Sequence, residues 1–277
     1  MKLRTLILFS FLSGTLFTSC KKDPADTLDP NTPVKYLSQT DGYAVSDGEV
    51  ITSHTFYRYD DNNRLLSRHL QTYTDNVLDG DDSLVFVYPG AGESPSTVKH
   101  YDLTDNSEET VFLYYNAGGD LIKDSVEDNS STYYTYDGTK TYVTHNAYGY
   151  TTSDVLTTNT EGNITTATTG ESATSYFTLT FQFNKNILSP WWFNGSIVSR
   201  FMVAHEDDVE GILAPYGKNI FTKMMVKYVD TDPVDPINET NTVSLNYENI
   251  NGGYPGKMTM TDPTQPGTAY QLTFTYK

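Results

Sequence analysis

The chain has 277 residues, and its 35 Asp and Glu against 18 Lys and Arg give a formal net charge of −17. A field of that sign repels nucleic acid and anionic lipid, so a nucleic-acid-binding role is disfavoured. The 22 Tyr and 13 Phe beside only 2 Trp are typical of β-sheet. The length suits one large all-β domain or two small ones.

The first 19 residues have the layout of an export signal. Lys2 and Arg4 form a short basic segment, and an uncharged, largely apolar run follows from Thr5 to Ser19. This run is too short to span a bilayer, which takes about 20 apolar residues, and it lacks the two-faced pattern of a core helix. We therefore expect residues 1–19 to be a secretory signal peptide.

The end of this segment resembles the lipobox of bacterial lipoproteins. Phe17, Thr18 and Ser19 precede Cys20, the only cysteine of the chain, although Phe17 departs from the usual Leu. The resemblance implies diacylglycerol on Cys20, which also explains a lone thiol in an exported protein. Lys21 follows where Asp would resemble an inner-membrane retention signal. We predict a lipid-anchored outer-membrane protein, on either the periplasmic face or the cell surface.

The rest of the chain divides into a tether and a β domain. Residues 20–34 are rich in Pro, Asp and Thr without an apolar period, and are predicted to be a flexible tether. From residue 35 to 277 the dominant period is two, which predicts half-buried strands. The predicted strands are 55–59, 84–88, 111–115, 132–136, 177–183, 221–229, 243–247 and 270–276. Turn clusters rich in Asn, Asp and Gly lie at 60–63, 116–119, 137–138 and 251–253.

The hairpins are similar to one another. Tyr59 to Leu65 recurs as Tyr115 to Leu121, and more weakly as Thr158 to Ile164. This pattern resembles the Tyr-Asp repeat of large bacterial RHS-type proteins, in which Asp opens a turn and Gly and Leu begin the return strand. Asn63 stands in the Gly position of the first copy. The resemblance implies a way of building sheet and not an activity.

Residues 189–217 depart from the strand pattern. Both tryptophans, Trp191 and Trp192, follow Pro190, and residues 206–217 are predicted to form one short helix. Asn246 to Glu248 lead to Gly253 to Pro255 and to a final strand with the pattern Tyr-x-x-x-Phe-x-Tyr. Over most of residues 35–277 this layout resembles uncharacterised lipoprotein families of gut and environmental Gram-negative bacteria. That resemblance implies an all-β lipoprotein and supplies no catalytic residue. The predicted fold is a hairpin-rich antiparallel curved sheet or open barrel with one short helix.

No catalytic or metal signature is present in the sequence. His205 begins like a zinc-protease helix, but Val209 replaces the second histidine. The acidic run from Asp79 to Asp82 lacks the ligand spacing of an EF-hand, and a solvated turn is the favoured interpretation. We therefore predict no catalytic residue, no metal and no cofactor besides the covalent lipid on Cys20.

Trp191 and Trp192 are the candidate binding residues. They could form a platform for sugar stacking, but burial in the β core is the favoured alternative. The function favoured by the sequence is a non-enzymatic envelope lipoprotein that binds or scaffolds a protein or glycan partner. The alternatives are a glycan-binding accessory lipoprotein and a glycan hydrolase, which would need two facing carboxylates.

Overall fold

A computed structural model describes residues 34–46, 48–90, 94–126, 130–170, 175–191, 217–231, 236–261 and 269–277. These residues form sixteen strands. The strands are β1 (Leu37–Ser46), β2 (Glu49–Tyr59), β3 (Leu65–Thr74), β4 (Val77–Val87), β5 (Thr97–Asp102), β6 (Ser107–Tyr115), β7 (Leu121–Val126), β8 (Ser130–Asp137), β9 (Lys140–Ala147), β10 (Tyr150–Thr158), β11 (Ile164–Gly170), β12 (Ser175–Leu188), β13 (Asn219–Asp230), β14 (Ile237–Glu248), β15 (Lys257–Thr261) and β16 (Ala269–Tyr276). The all-β prediction is confirmed, and each of the predicted strands lies within or overlaps one of these elements.

The sheet closes into a barrel in which each strand pairs antiparallel with its sequence neighbours. The first and last strands also pair, from Leu37 opposite Tyr276 to Tyr43 opposite Gln271. The prediction of a curved sheet or an open barrel is therefore wrong on closure. Closure is favoured because it satisfies the unpaired N–H and C=O groups that an open sheet leaves along its two edge strands.

The barrel has two different ends, which we name the base and the rim. At the base, even-numbered strands turn into odd-numbered ones, as at residues 60–64 and 116–120. At the rim, the hairpins turn at residues 75–76, 103–106 and 148–149. The chain enters the barrel at the base, since Leu37 begins β1 there, and it leaves there at Tyr276.

Apolar side chains fill the interior at the base. Leu37, Leu65, Leu121, Val98 and Met258 are all fully buried. They alternate along the strands with outward residues, because successive side chains point to opposite faces. Towards the rim the inward positions become polar and half-exposed. The interior is thus a filled core at one end and a polar cup at the other.

A repeated tyrosine hydrogen bond stabilises the base. Within one residue of the end of six even-numbered strands, a Tyr hydroxyl donates to a backbone carbonyl that lies within two residues of the start of the preceding strand. The donors and acceptors are Tyr59 to Leu37, Tyr88 to Leu65, Tyr115 to Pro95, Tyr136 to Leu121, Tyr247 to Phe221 and Tyr276 to Pro255, at 2.7 to 2.9 Å. In a seventh hairpin the Thr158 hydroxyl donates to the Thr139 carbonyl. Each bond joins the two strands of one hairpin.

Three base turns share one geometry. In the first, Asp60 Oδ1 accepts hydrogen bonds from the backbone N–H groups of Asn62 and Arg64. Asn116 and Asn159 do the same in the two later copies. The fourth residue of each turn has a positive φ, and these residues are Asn63, Gly119 and Gly162. The internal similarity predicted from the sequence is present in the structure, whereas kinship with RHS-type repeats stays a prediction.

Three predicted features lie outside the described residues. They are the signal peptide at 1–19, all but the last residue of the tether at 20–34, and the short helix at 206–217, of which only Gly217 is described. Within the described ranges every named element is a strand.

Candidate functional site

The polar cup contains a cluster around one histidine. His100 on β5 faces inward, since it pairs with Leu84 on one side and Glu109 on the other, and paired residues share a face. Its Nε2 lies 2.9 Å from Asp82 Oδ1. Asp102 lies two residues further towards the rim and pairs with Asp82 on β4. One carboxylate, that of Asp82, therefore contacts the imidazole, and those of Asp102 and Glu109 belong to neighbouring inward positions.

This arrangement favours the protonated histidine. The hydrogen bond to Asp82 raises the pKa of His100, burial opposes this, and the charges of Asp82, Glu109 and Asp102 add to the increase. His100 and Asp82 are both partly exposed, so solvent screens the pair. The cluster is a carboxylate-rich site built around one histidine.

An open cleft of about 760 Å³ lies over this cluster. It is lined by His100, Asp102, Ser107, Glu109 and Val126, together with parts of Glu108 and Thr110. Asp102 and Glu109 are diagonal neighbours on adjacent strands, a relationship that separates Cβ atoms by about 7–8 Å. The cleft can accommodate a cationic or polyhydroxylated group.

The sequence missed this site. His100 is one of five histidines that are scattered singly along the sequence. The acidic run from Asp79 to Asp82 is interpreted from the sequence as a solvated turn. That interpretation is wrong, because the run lies within β4. Asp81 points outward and pairs with His69 across 2.5 Å, whereas Asp82 points inward. The sequence signal for an inward His100 is the alternation along β5, which places His100 on the same face as the buried Val98.

Alternation also argues against a calcium site in this run, since neighbouring carboxylates on a strand point to opposite faces. No group of three or more potential metal ligands occurs among the described residues.

Trp191 lies inside the base of the barrel. Its side chain is 3% exposed, its indole N–H donates to the Tyr57 hydroxyl across 3.3 Å, and its ring packs edge-on against Phe274 at 5.3 Å. Residues 189–191, which follow β12, are buried and thus contribute to the filled end of the barrel. In this position Trp191 presents no ring face to solvent, and Trp192 lies outside the described residues. Glycan binding by the pair stays a prediction.

Two buried asparagines fix the start of β13. Asn163 is fully buried, donates from its side-chain amide to Asn219 Oδ1 at 3.1 Å and accepts from the Asn219 backbone N–H at 2.9 Å. Asn219 in turn donates to the carbonyls of Lys185 and Ile187. These four hydrogen bonds fix the position of Asn219, the first residue of β13.

The outer wall is polar. Thr168, Thr178, Lys227 and Thr240 form one outward row across four strands. On β1 and β2, Asp41 Oδ1 lies 2.7 Å from His54 Nδ1. A wall in contact with lipid carries an apolar band about 25 Å tall, and Lys near its middle costs about 2–4 kcal/mol. Exposed aromatic side chains also lie on this wall, at Tyr43, Phe56, Tyr114, Tyr133 and Tyr142, and polar residues such as Asp41, His54 and Thr144 lie between them on the same strands.

Cys20, the predicted lipidation site, lies outside the described residues. Across the ranges that the structure describes, no helix is long and apolar enough to cross a membrane.

No protein-family model matches the chain, and no curated protein is significantly similar to it in sequence. Among solved structures, the chain is similar to a porin-like protein from Bacteroides uniformis. The TM-score is 0.44 and the identity 12%, over 87% of this chain and 98% of that one. It is also similar to TcdB2-TccC3 without its hypervariable C-terminal region, with TM-score 0.31 and 12% identity, over 80% of this chain and 11% of that one. Likenesses this weak carry no argument about function.

Proposed function

We propose that the protein is a lipid-anchored barrel of the outer membrane with a non-enzymatic binding role. The observation that carries this proposal is the distribution of polarity. Charged and hydroxyl-bearing side chains are spread over the described outer wall between the exposed aromatic ones, and the base of the interior is filled with apolar side chains and Trp191. A polar wall is unsuited to lipid, and a filled base is unsuited to conduction. The membrane attachment is therefore assigned to Cys20.

The direction of the chain supports this arrangement. β1 begins at the base, so a tether from Cys20 joins the barrel at that end. Residues 21–36 in extended form would reach at most about 55 Å. An anchored barrel would keep its base towards the membrane side of the tether and leave the polar cup accessible. The side of the outer membrane, periplasmic or external, is open in this proposal.

Metabolic labelling with a fatty-acid analogue tests the anchor. The wild-type chain is expected to be labelled and to fractionate with membranes, whereas Cys20→Ala is expected to be unlabelled and released or unprocessed. A matched control is Ser19→Ala, which keeps a small residue before the cysteine. Equal labelling of the wild type and Cys20→Ala would contradict the proposal.

One observation favours the hydrolase alternative, namely the placement of Asp102 and Glu109 in the same cleft. Carboxyl groups about 6.5–9.5 Å apart suit an inverting glycosidase. Release of reducing sugar from envelope polysaccharide, lost in both Asp102→Asn and Glu109→Gln, would support this second candidate. If the wild type releases no reducing sugar, the hydrolase alternative is contradicted and the binding role is retained.

A further inference from the structure

We propose that the rim of the barrel is a docking surface for a basic polypeptide segment with apolar side chains. This inference rests on the binding role proposed above and names the partner's chemistry and the surface that recognises it. Three observations support it. The first two concern the hairpin tips of β3–β4, β5–β6 and β9–β10, and the third concerns the charge of the whole rim.

The first observation is exposure of large apolar and aromatic side chains at the tips. Tyr148 is 80% exposed, Tyr150 78%, Val77 69% and Leu103 52%. Leu78 beside Val77 is also exposed. Single exposed apolar residues are ordinary, but several on one end of a molecule are typical of an interaction site. Tyr in particular is enriched among residues that dominate binding energy.

The second observation is backbone strain at Tyr148. The β9–β10 turn has two residues, Tyr148 and Gly149, with φ of +50° and +83°. This turn favours Asn, Asp or Gly at both positions, and a positive φ is unfavourable for a residue as bulky as Tyr. The β3–β4 tip solves the same problem with Asp75 and Asn76. Tyr148 therefore lowers the stability of its own turn while exposing its ring, which is the pattern expected when a side chain is kept for a partner.

The third observation is segregation of charge along the barrel. Carboxylates dominate the segments at and near the rim, where they belong to Glu49, Asp75, Asp79, Asp102, Asp105, Glu108, Glu109, Asp230 and Glu239. The described cations there are Lys227 and Lys99, and Lys99 is paired with Glu108 at 2.8 Å. The base has described cations at Lys35, Arg58, Arg64, Lys140, Lys185, Lys218, Lys257 and Lys277 beside carboxylates at Asp60, Asp61, Asp120, Asp137, Glu161 and Glu248, so cations outnumber carboxylates there and not at the rim.

The tips are held in place by the wall beneath them. The Leu103 N–H donates to the Asp81 carbonyl, and the Thr104 hydroxyl accepts from the Asp81 N–H. Asp102 Oδ1 accepts from the N–H groups of Thr104 and Asp105. The β5–β6 tip is thereby fixed against β4. A preorganised acidic surface with apolar anchors selects a partner that supplies Lys or Arg around aliphatic side chains, and it repels anionic lipid.

The test uses the full lipidated protein bound to phosphatidylcholine vesicles, with empty vesicles as the reference. A labelled peptide of alternating lysine and leucine is titrated, and a glutamate-leucine peptide of equal length serves as the charge control. We expect binding of the lysine peptide alone. That binding should weaken by at least about tenfold in Tyr148→Asn/Tyr150→Thr, as for loss of a hot spot, and should fall as salt is raised.

The control variant is Tyr114→Thr, because Tyr114 is exposed on the outer wall near the base and not at the rim. It should bind the peptide as the wild type does. Both substitutions at the tip should leave the melting temperature unchanged or raise it, since Asn suits the turn better than Tyr. Equal binding of the two peptides, or wild-type binding by the tip variant, would overturn the docking surface.

Repeating the titration with unanchored Cys20→Ala in solution separates this proposal from that of the anchor. If Cys20 is not labelled, the lipid anchor is contradicted, whereas the binding of the lysine peptide to the rim is unaffected. Binding of the unanchored chain to empty phosphatidylcholine vesicles through Tyr148 and Tyr150 would show that the tips insert into lipid, and would overturn the polypeptide partner.

Discussion

The Trp191 indole and the Tyr57 hydroxyl are hydrogen-bonded across 134 positions of sequence at a distance of 3.3 Å. This contact joins the segment after β12 to the inner face of β2 and completes the apolar filling of the base. Trp191 also packs against Phe274 on β16, and β16 and β2 are separated only by β1, so one side chain joins the end of β12 to the strands on both sides of the closure.

Truncation of Trp191 tests this role. Trp191→Ala should destabilise the protein by about 3–5 kcal/mol through the cavity that it leaves. Trp191→Phe keeps most of the volume and should cost clearly less, while Tyr57→Phe, which removes only the hydrogen-bond acceptor, should cost about 1 kcal/mol. Urea unfolding followed by circular dichroism measures all three. A near-zero effect of Trp191→Ala would show that the indole is not part of the core.

The tyrosine hydroxyls at the base predict an alkaline transition. Burial raises the pKa of Tyr88 to about 12 from the ordinary value of 10.0, the charge of Asp60 raises it further and that of Arg64 lowers it. Burial likewise raises the pKa of Tyr59 and Tyr247. A group with a raised pKa in the folded state contributes stability that is complete below its unfolded pKa and is lost as the pH rises through the folded pKa.

The contribution of Tyr88 to stability should therefore be constant below pH 10 and be lost between pH 10 and 12. Ultraviolet absorbance of tyrosinate and circular dichroism, recorded on one titration, measure ionisation and unfolding together. We expect the buried rings to ionise only as the sheet signal is lost. Ionisation of all tyrosines well before unfolding would contradict the hydrogen-bonded arrangement.

Tyr136→Phe, which removes the donor to the Leu121 carbonyl, should lower the free energy of unfolding by about 1 kcal/mol.

The shared base turns predict a contrast between two substitutions. Asn63→Gly should change stability little, because Gly119 and Gly162 occupy the equivalent positions of the other copies. Gly119→Ala should cost about 1–2 kcal/mol, since an L residue is strained at its φ of +84°. A Cβ at Gly119 would meet no other atom within 4 Å, so the cost is purely that of the backbone. Thermal melts of both variants measure it, and equal melting temperatures would contradict the prediction.

The His100 cluster predicts a pKa change that a remote variant does not share. Asp82→Asn should lower the pKa of His100, since the hydrogen bond to Asp82 is the largest cause of its increase. Asp41→Asn removes a carboxylate from a histidine on the outer wall and should leave His100 unchanged. Titration of the His100 ring by NMR gives both values. A His100 pKa unaffected by Asp82→Asn would show that the two side chains are not in contact in solution.

Much of the fold was predictable because the base obeys simple rules. The predicted 177–183 and 270–276 strands alternate between inward and outward residues as expected, with Phe181, Leu272 and Phe274 buried. Strands with little apolar content, such as β11 and the first half of β4, gave no such signal. Their inward positions lie towards the wet cup, so both faces of the strand are polar.

The candidate site was less predictable. A carboxylate cluster assembled from β4, β5 and β6 has no fixed spacing in sequence, because hairpin lengths determine which residues become neighbours. Closure was not predictable either, since pairing of β1 with β16 depends on the accumulated twist of the whole sheet. The strain at Tyr148 becomes visible only once the turn is known to have two residues.

Pairing of β1 with β16 has a consequence for how the protein matures. β16 is synthesised after the other fifteen described strands, and until it arrives both β1 and β15 present a row of unpaired N–H and C=O groups. A chain truncated before Ala269 should therefore associate edge to edge into insoluble oligomers. A circularly permuted chain, with its original ends joined at the base and new ends at Gly48, should keep every strand pair and remain a soluble monomer.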